Sequence, residues 1–187
     1  MHYKAGEQIV LTYEDYSAMP DDGKKREIID GILHMSPSPN RRHQRAIGRL
    51  YRLLDDYVDS RKLGEVFLAP FDVLFSKTDV VQPDVLFVGL DRMDIVTEGN
   101  IQGSPDLVVE ILSSDNRDYD RKEKLQLYAT CSVQHYWIID PDERRVTELT
   151  DPKDRAYHTV REFDAGQTFT PRLFPDLTVN VADLLSL

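Results

Sequence analysis

Short apolar runs broken by turn residues dominate this chain, and two longer stretches carry apolar residues at helical spacing instead. Residues 26–36, REIIDGILHMS, alternate around Asp30-Gly31, a pair suited to a tight type I′ turn, and predict a hairpin. Three strands follow in GEVFLAP from Gly64, FDVLFS from Phe71 and VVQPDVLFV from Val80, with a turn at residues 76–79. SPDLVVEIL supplies another. VQHYWIID and RRVTEL form a second hairpin over 133–149, turned by PDE, and FPDLTVNVADLL reads as a strand followed by a closing helix.

Helical spacing appears in three places. Thr12 and Asp15 stand at capping-box separation and predict a short helix through about Ser17. After the rigid SPSPN loop, Asn40 is an N-cap for a helix to about Lys62, its inward stripe formed by Ile47, Leu50, Leu54, Tyr57 and Val58. A third helix runs from about Asp118 to Cys131, with Leu125, Tyr128 and Ala129 on its apolar face. The polar stretch from Leu90 to Ser104 predicts a short helix or loop. Together these elements predict an α/β fold: a mixed, twisted sheet flanked by the second and third helices, with hairpins added at its edges.

A chain of 187 residues is long enough for one domain with a full core, and too short to expect two. The single cysteine, Cys131, excludes an internal disulfide, and on a helical apolar arc it reads as a small core residue. No apolar run approaches the roughly 20 residues that cross a bilayer, and MHYKAGEQIVLTYEDY carries acids where a signal peptide would be apolar. A cytoplasmic protein with no membrane partner is therefore expected. The net charge of −10 argues against a nonspecific nucleic-acid coat protein. Yet residues 41–52, RRHQRAIGRLYR, hold five arginines and a histidine with no acid. Arg41, Arg42 and Arg45 lie in the first turns of the second helix, where free N–H groups and the dipole favour anions such as phosphate; a solvated face balancing acids elsewhere explains them equally well.

Charge inside apolar strands is the more informative signal. Glu110 lies within LVVEIL, a strand apolar on both faces, where an ionised carboxylate must find a metal, a cation or hydrogen-bond donors. Lys124 falls within the apolar arc of the third helix, whereas Lys122 lies at its edge and is easily solvated. Asp84 follows Pro83, which cannot donate to a ladder and so marks a strand start or irregularity. Paired oxygen ligands of this kind suit Mg²⁺ or Mn²⁺, and a neighbouring lysine can stabilise added negative charge on a phosphate. Asp106, also in a Pro-Asp pair and on the face of Glu110, is the rival to Asp84; only three residues separate it from Glu110 on one strand, which favours Asp84. His43 precedes Ile47 by four residues and can reach the sheet, although a first-turn histidine is more commonly a packing or capping group. Glu27, taken alone, reads as an exposed strand acid. The same residues would serve a buried Glu–Lys ion pair without chemistry.

A Pro-Asp pair followed by 25 residues and an acid resembles the PD-(D/E)XK nuclease superfamily. Within it, IIDGILHMSPSPNRRHQ, QPDVLFV, SPDLVVEILSSDNRDYDRKEKLQLYA and VQHYWIIDPDERRV resemble the Uma family of restriction endonucleases, over about residues 10–150. The resemblance implies a restriction-endonuclease-like fold and a Mg²⁺- or Mn²⁺-dependent endonuclease acting on nucleic acid, with DNA the expected polymer. It makes Asp84 and Glu110 metal ligands, Lys124 the catalytic lysine, Glu27 a further acid and His43 a site member. One departure stands out: the superfamily lysine would come two residues after the acid, where this chain has Leu112, so the lysine has moved to the next helix. A noncatalytic nucleic-acid-binding or partner protein on a nuclease scaffold is the alternative. Duplex cutting needs two sites, which a homodimer would supply, but no sequence feature establishes one.

Overall fold

The computed structural model describes residues 9–20, 22–36, 38–113 and 120–186. Three of the readings above touch positions outside these: the N-terminal stretch through residue 8, Pro37 of the SPSPN loop, and the start of the third helix at Asp118.

The elements follow the pattern of the chain closely where capping or turn chemistry is explicit. Helix α1 (Tyr13–Ser17) opens with the full capping box, in which Thr12 and Asp15 satisfy each other's backbone N–H groups. Strands β1 (Lys25–Ile29) and β2 (Ile32–Ser36) pair antiparallel about Asp30 and Gly31, both at positive φ as a type I′ turn requires. Helix α2 (Arg41–Arg61) starts at Asn40, whose side chain accepts from the His43 N–H, and ends at Lys62 in the left-handed conformation. Its buried stripe is His43, Ala46, Leu50, Leu54, Tyr57 and Val58, with Ile47 only half-buried.

Then come β3 (Gly64–Leu68), β4 (Asp72–Ser76), β5 (Asp79–Val81) and β6 (Val85–Gly89). VVQPDVLFV is thus two strands rather than one. A 3₁₀ helix (Leu90–Ile95) and β7 (Asn100–Gln102) occupy the polar stretch read as helix or loop, and β8 (Leu107–Ile111) carries Glu110. A π-helical turn (Asp120–Lys124) leads into helix α3 (Leu125–Thr130). Strands β9 (His135–Asp140), β10 (Arg145–Lys153), β11 (Ala156–Asp164), β12 (Thr168–Phe169) and β13 (Val179–Asn180) follow, and the described chain closes on α4 (Val181–Leu184). The long β11 was not evident in the sequence pattern.

The strands form two mixed sheets and a small two-stranded one, instead of one sheet with edge hairpins. The first sheet has the order β2-β1-β5-β4-β7 and the second β11-β10-β9-β8-β6-β3. Each is antiparallel except for one parallel pair, β4 with β7 and β8 with β9. The alternation of β6 and β8 divides the core in two. Val85, Phe87, Val109 and Ile111 face α2 and the C-terminal Phe174 and Leu177. Leu86, Val88, Val108 and Leu112 face α3 and the inner residues Val73, Val81 and Ile101 of the first sheet. The second sheet is therefore covered on both faces, as its nearly continuous apolar strands demand. Among the described residues no helix is long and apolar enough to cross a membrane.

Candidate active site

Glu110 occupies an even position on β8 with Val108 and Leu112, so the strand period directs it toward the first sheet and α3. Lys124 stands at the junction between the π-helical turn and α3, 1 % exposed. Its Nζ lies 2.8 Å from Glu110 Oε1 and 2.8 Å from Glu27 Oε1. Glu110 Oε1 also accepts a 2.6 Å hydrogen bond from the Tyr128 hydroxyl, one helical turn beyond Lys124. Tyr128 is itself fully buried, packed edge-on against Tyr136 and Phe75.

The expectation that Glu27 is an exposed strand acid is overturned. It is 1 % exposed, because β1 is paired on one side by β2 and on the other by β5, and its face is covered by the Lys124 junction. Its Oε1 additionally accepts from the Gln82 N–H at 2.9 Å. Burial would raise this carboxyl, but the ammonium groups of Lys124 and Lys25, together with these hydrogen bonds, hold it below the usual carboxylate range.

Asp84 sits where the chain leaves the first sheet for the second, just before β6. Its Oδ1 accepts from Lys25 Nζ at 3.2 Å, and its Oδ2 meets His43 Nε2 at 3.0 Å and the Ile111 N–H at 2.8 Å. Burial opposes ionisation here too, yet the Lys25 ammonium and the His43 contacts outweigh it and hold the carboxyl far below its ordinary value. Asp84 on β6's approach and Glu110 on β8 are brought together by strand pairing, since Val85 stands opposite Val109. Asp84, Glu110, Lys25 and His43 line one cleft of about 630 Å³, together with Tyr16, Met19, Ser38, Pro39 and Gln44.

The rival acid lies elsewhere. Asp106 accepts from the Gly89 N–H and from Arg92, both at 2.7 Å, and ties β6 to the 3₁₀ helix outside the cleft. Lys122 is exposed, as its place at the edge of the helical arc predicts. Arg41, Arg42 and Arg45 are exposed on the first turns of α2 beside the cleft but do not line it, and Arg42 pairs with Asp142 at 3.1 Å.

Three contributors were missed by sequence reasoning. Lys25 shares the face of Glu27 through the strand period, a signal hidden in the basic run KKR, which reads as a solvated patch. Tyr128 reads as core from its apolar arc alone, although its spacing of four from Lys124 places its hydroxyl on the same helical face. Gln82 donates its N–H to Glu27, and its side-chain Nε2 to Asp72 at 2.8 Å and Tyr16 at 3.0 Å, so it links α1 to the floor of the site.

The donor set fits a small divalent cation. Glu27 Oε2 is buried without a hydrogen-bond partner among the described residues, and such an oxygen needs a donor or a cation. Hard carboxylate oxygens suit Mg²⁺, which takes one or two of them and completes its shell with water and substrate phosphate. Among the described residues no three of His, Cys, Asp or Glu form a ready-made cage.

Mixed sheets flanked by helices, with acids and a lysine converging on a strand-lined cleft, define a restriction-endonuclease-like protein. Residues 13–182 match the Uma2 family, described as "Putative restriction endonuclease", and the chain belongs to that family. An uncharacterized protein of Synechocystis sp. is 24 % identical over 151 residues, spanning 79 % of this chain and 85 % of its own. The crystal structure of an Anabaena variabilis protein described as a "putative nuclease belonging to DUF820" superposes with a TM-score of 0.79. That match is 22 % identical in sequence and covers 94 % of this chain and 98 % of the other, so it speaks for the fold.

Proposed function

We propose that this protein is a metal-dependent endonuclease that hydrolyses a phosphodiester bond of nucleic acid, with DNA as the polymer. The observation that carries this reading is the meeting of Asp84, Glu110 and His43 at one cleft, with buried Lys124 joining Glu110 to Glu27, although the five come from separate segments. Membership in a restriction-endonuclease family supports it. Asp84 and Glu110 would hold Mg²⁺ or Mn²⁺. When bound, such an ion supplies positive charge beside the scissile phosphate and makes water more acidic.

The chain's own residues set the geometry. His43 and the Ile111 N–H fix Asp84 through Oδ2, and Tyr128 and Lys124 fix Glu110 through Oε1. Lys124 also offsets the repulsion between Glu27 and Glu110, which share its ammonium, and so permits a dense cluster of acids in a buried place. Arg41, Arg42 and Arg45 flank the cleft and offer positive charge to the phosphates of a bound strand, which an acidic protein needs locally.

The test is nicking of supercoiled plasmid in Mg²⁺ or Mn²⁺, abolished by EDTA and by Glu110→Ala. A folded protein that cleaves neither DNA nor RNA in either metal refutes the reading. One observation favours a noncatalytic nucleic-acid-binding scaffold instead: Lys25 and Lys124 already compensate the acids without an ion. That reading expects metal-independent DNA retention, weakened by Arg41→Ala or Arg45→Ala and indifferent to Lys124→Ala.

A further inference from the structure

Two ammonium groups share the acids of this cleft, and they differ in what can reach them. Lys124 is 1 % exposed and is held by two carboxylates at 2.8 Å each. Lys25 has a side chain 23 % exposed, lines the cleft, and contacts Asp84 at 3.2 Å with Glu27 at the longer distance of 3.9 Å. Its neighbours in the basic run are committed outside: Lys24 and Arg26 both pair with Asp22, and Arg26 also donates to the Pro20 carbonyl. Of these four cations, Lys25 alone combines a carboxylate partner in the site with solvent access. A substrate phosphate entering the cleft therefore meets Lys25 before Lys124.

Lys25 also stands against one of the two acids that would hold an ion. A divalent cation at Asp84 and an ammonium 3.2 Å from the same carboxylate repel each other, and a lysine on a flexible four-carbon stem yields more readily than a strand-borne carboxylate. We propose that Lys25 is the phosphate-binding cation of the cleft, and that without substrate its ammonium occupies the place on Asp84 Oδ1 that a divalent ion takes. The inference rests on the nuclease reading for its biological meaning. Displacement from Asp84 turns the ammonium toward the open side of the cleft, where a non-bridging phosphate oxygen can replace the carboxylate it has lost. Metal loading and substrate binding are then coupled through one side chain: the ion displaces Lys25, and the phosphate receives it.

Two binding measurements test this without cleavage. The first is calorimetric titration of Mn²⁺ alone into the wild type and into Lys25→Met. Removal of the competing charge is expected to tighten Mn²⁺ binding about tenfold. The second is fluorescence anisotropy of a short labelled oligonucleotide at several salt concentrations with Ca²⁺ present, a hard cation for the same oxygen ligands that stands in for the ion. Lys25→Met is expected to weaken binding and to lower the salt slope by about 1, the signature of one lost phosphate contact, while Lys25→Arg keeps the slope. A lysine that merely balances buried charge would change Mn²⁺ affinity but leave the salt slope where it was. Unchanged Mn²⁺ affinity, or an unchanged salt slope, in folded Lys25→Met overturns the proposal, as does a wild type that fails to bind the oligonucleotide. Should Lys25→Met not fold, Lys25→Gln, which keeps a donor for Asp84, carries the same expectations. A wild type that binds as described but cuts no substrate refutes the nuclease reading and leaves the assignment of Lys25 standing.

Discussion

Replacing Lys124 by methionine isolates the interaction on which the site depends. Methionine matches the length of the lysine stem, so packing against Tyr128 and the strands is largely kept while the charge is removed. The wild-type ammonium is 1 % exposed and lies 2.8 Å from both Glu27 and Glu110. Deleting one partner of a buried ion pair leaves an uncompensated charge and costs about 3–5 kcal/mol. Here the Gln82 N–H still serves Glu27 and the Tyr128 hydroxyl still serves Glu110, which places the loss near the lower figure. For a chain of this size each kcal/mol lowers the melting temperature by about 2–4 °C, so a fall of about 6–12 °C is expected at neutral pH. The deficit should also depend on pH in a definite direction. Without the ammonium, burial and mutual repulsion raise the folded-state pKa of the two glutamates above their unfolded value of about 4.3. The folded variant then binds protons that the unfolded chain has released, so its stability declines as pH rises through the interval and recovers on acidification. Melting curves followed by circular dichroism at neutral and mildly acidic pH measure both effects. A variant that melts within about 2 °C of wild type, or whose deficit does not shrink on acidification, would show that Lys124 is not the buried counter-charge of these acids.

Two further outcomes follow from the same geometry. Tyr128→Phe removes only the hydroxyl that donates to Glu110, and the loss of a hydrogen bond to a buried carboxylate should cost about 1.5–3 kcal/mol, read as a lower urea midpoint with an unchanged slope. Asp84 is held far below its ordinary pKa, chiefly by Lys25 and His43 against the opposing effect of burial, so its contribution to stability is complete above the unfolded value of about 3.9 and is lost as pH falls further. The wild type should therefore lose stability steeply below about pH 4, and Asp84→Asn should flatten that limb while melting lower at neutral pH.

Much of the site was legible because buried charge in an apolar strand is rare enough to be a signal in its own right. Glu110 within LVVEIL and Lys124 within a helical apolar arc point at each other without any knowledge of the fold, and the structure brings them together. Glu27 was not legible in the same way. Its strand, REII, has a half-apolar pattern compatible with an exposed face, and what buries it comes from β5 and from Lys124, about fifty and one hundred positions away. Lys25 was hidden by composition, since three consecutive basic residues look like a solvated patch until pairing with β2 fixes which of them faces the cleft. Strand β11 was missed because its exposed face mixes Val160 with His158 and Glu162 while Arg161 sits on the half-buried face against Glu148, which breaks the apolar alternation at the edge of the second sheet.

The feature that turns these separate acids into one site is the interruption at Gln82-Pro83-Asp84. Were VVQPDVLFV one strand, its neighbours β1 and β8 would share a sheet; instead they belong to different sheets that meet at this crossing. Proline has no N–H to donate, so the ladder fails at residue 83 and the chain passes from β5 in the first sheet to β6 in the second. A second passage, from β3 to β4, runs alongside it, with the Ala69 N–H donating to the Asp84 carbonyl at 3.3 Å. Each residue at the crossing then finds a use: Gln82 donates to Glu27 on the β1 side, and Asp84 accepts from the backbone of Ile111 beside Glu110 on the β8 side. The cleft lies where the two sheets exchange strands, and its acids converge because the strands that carry them, β1 and β8, are the immediate neighbours of β5 and β6.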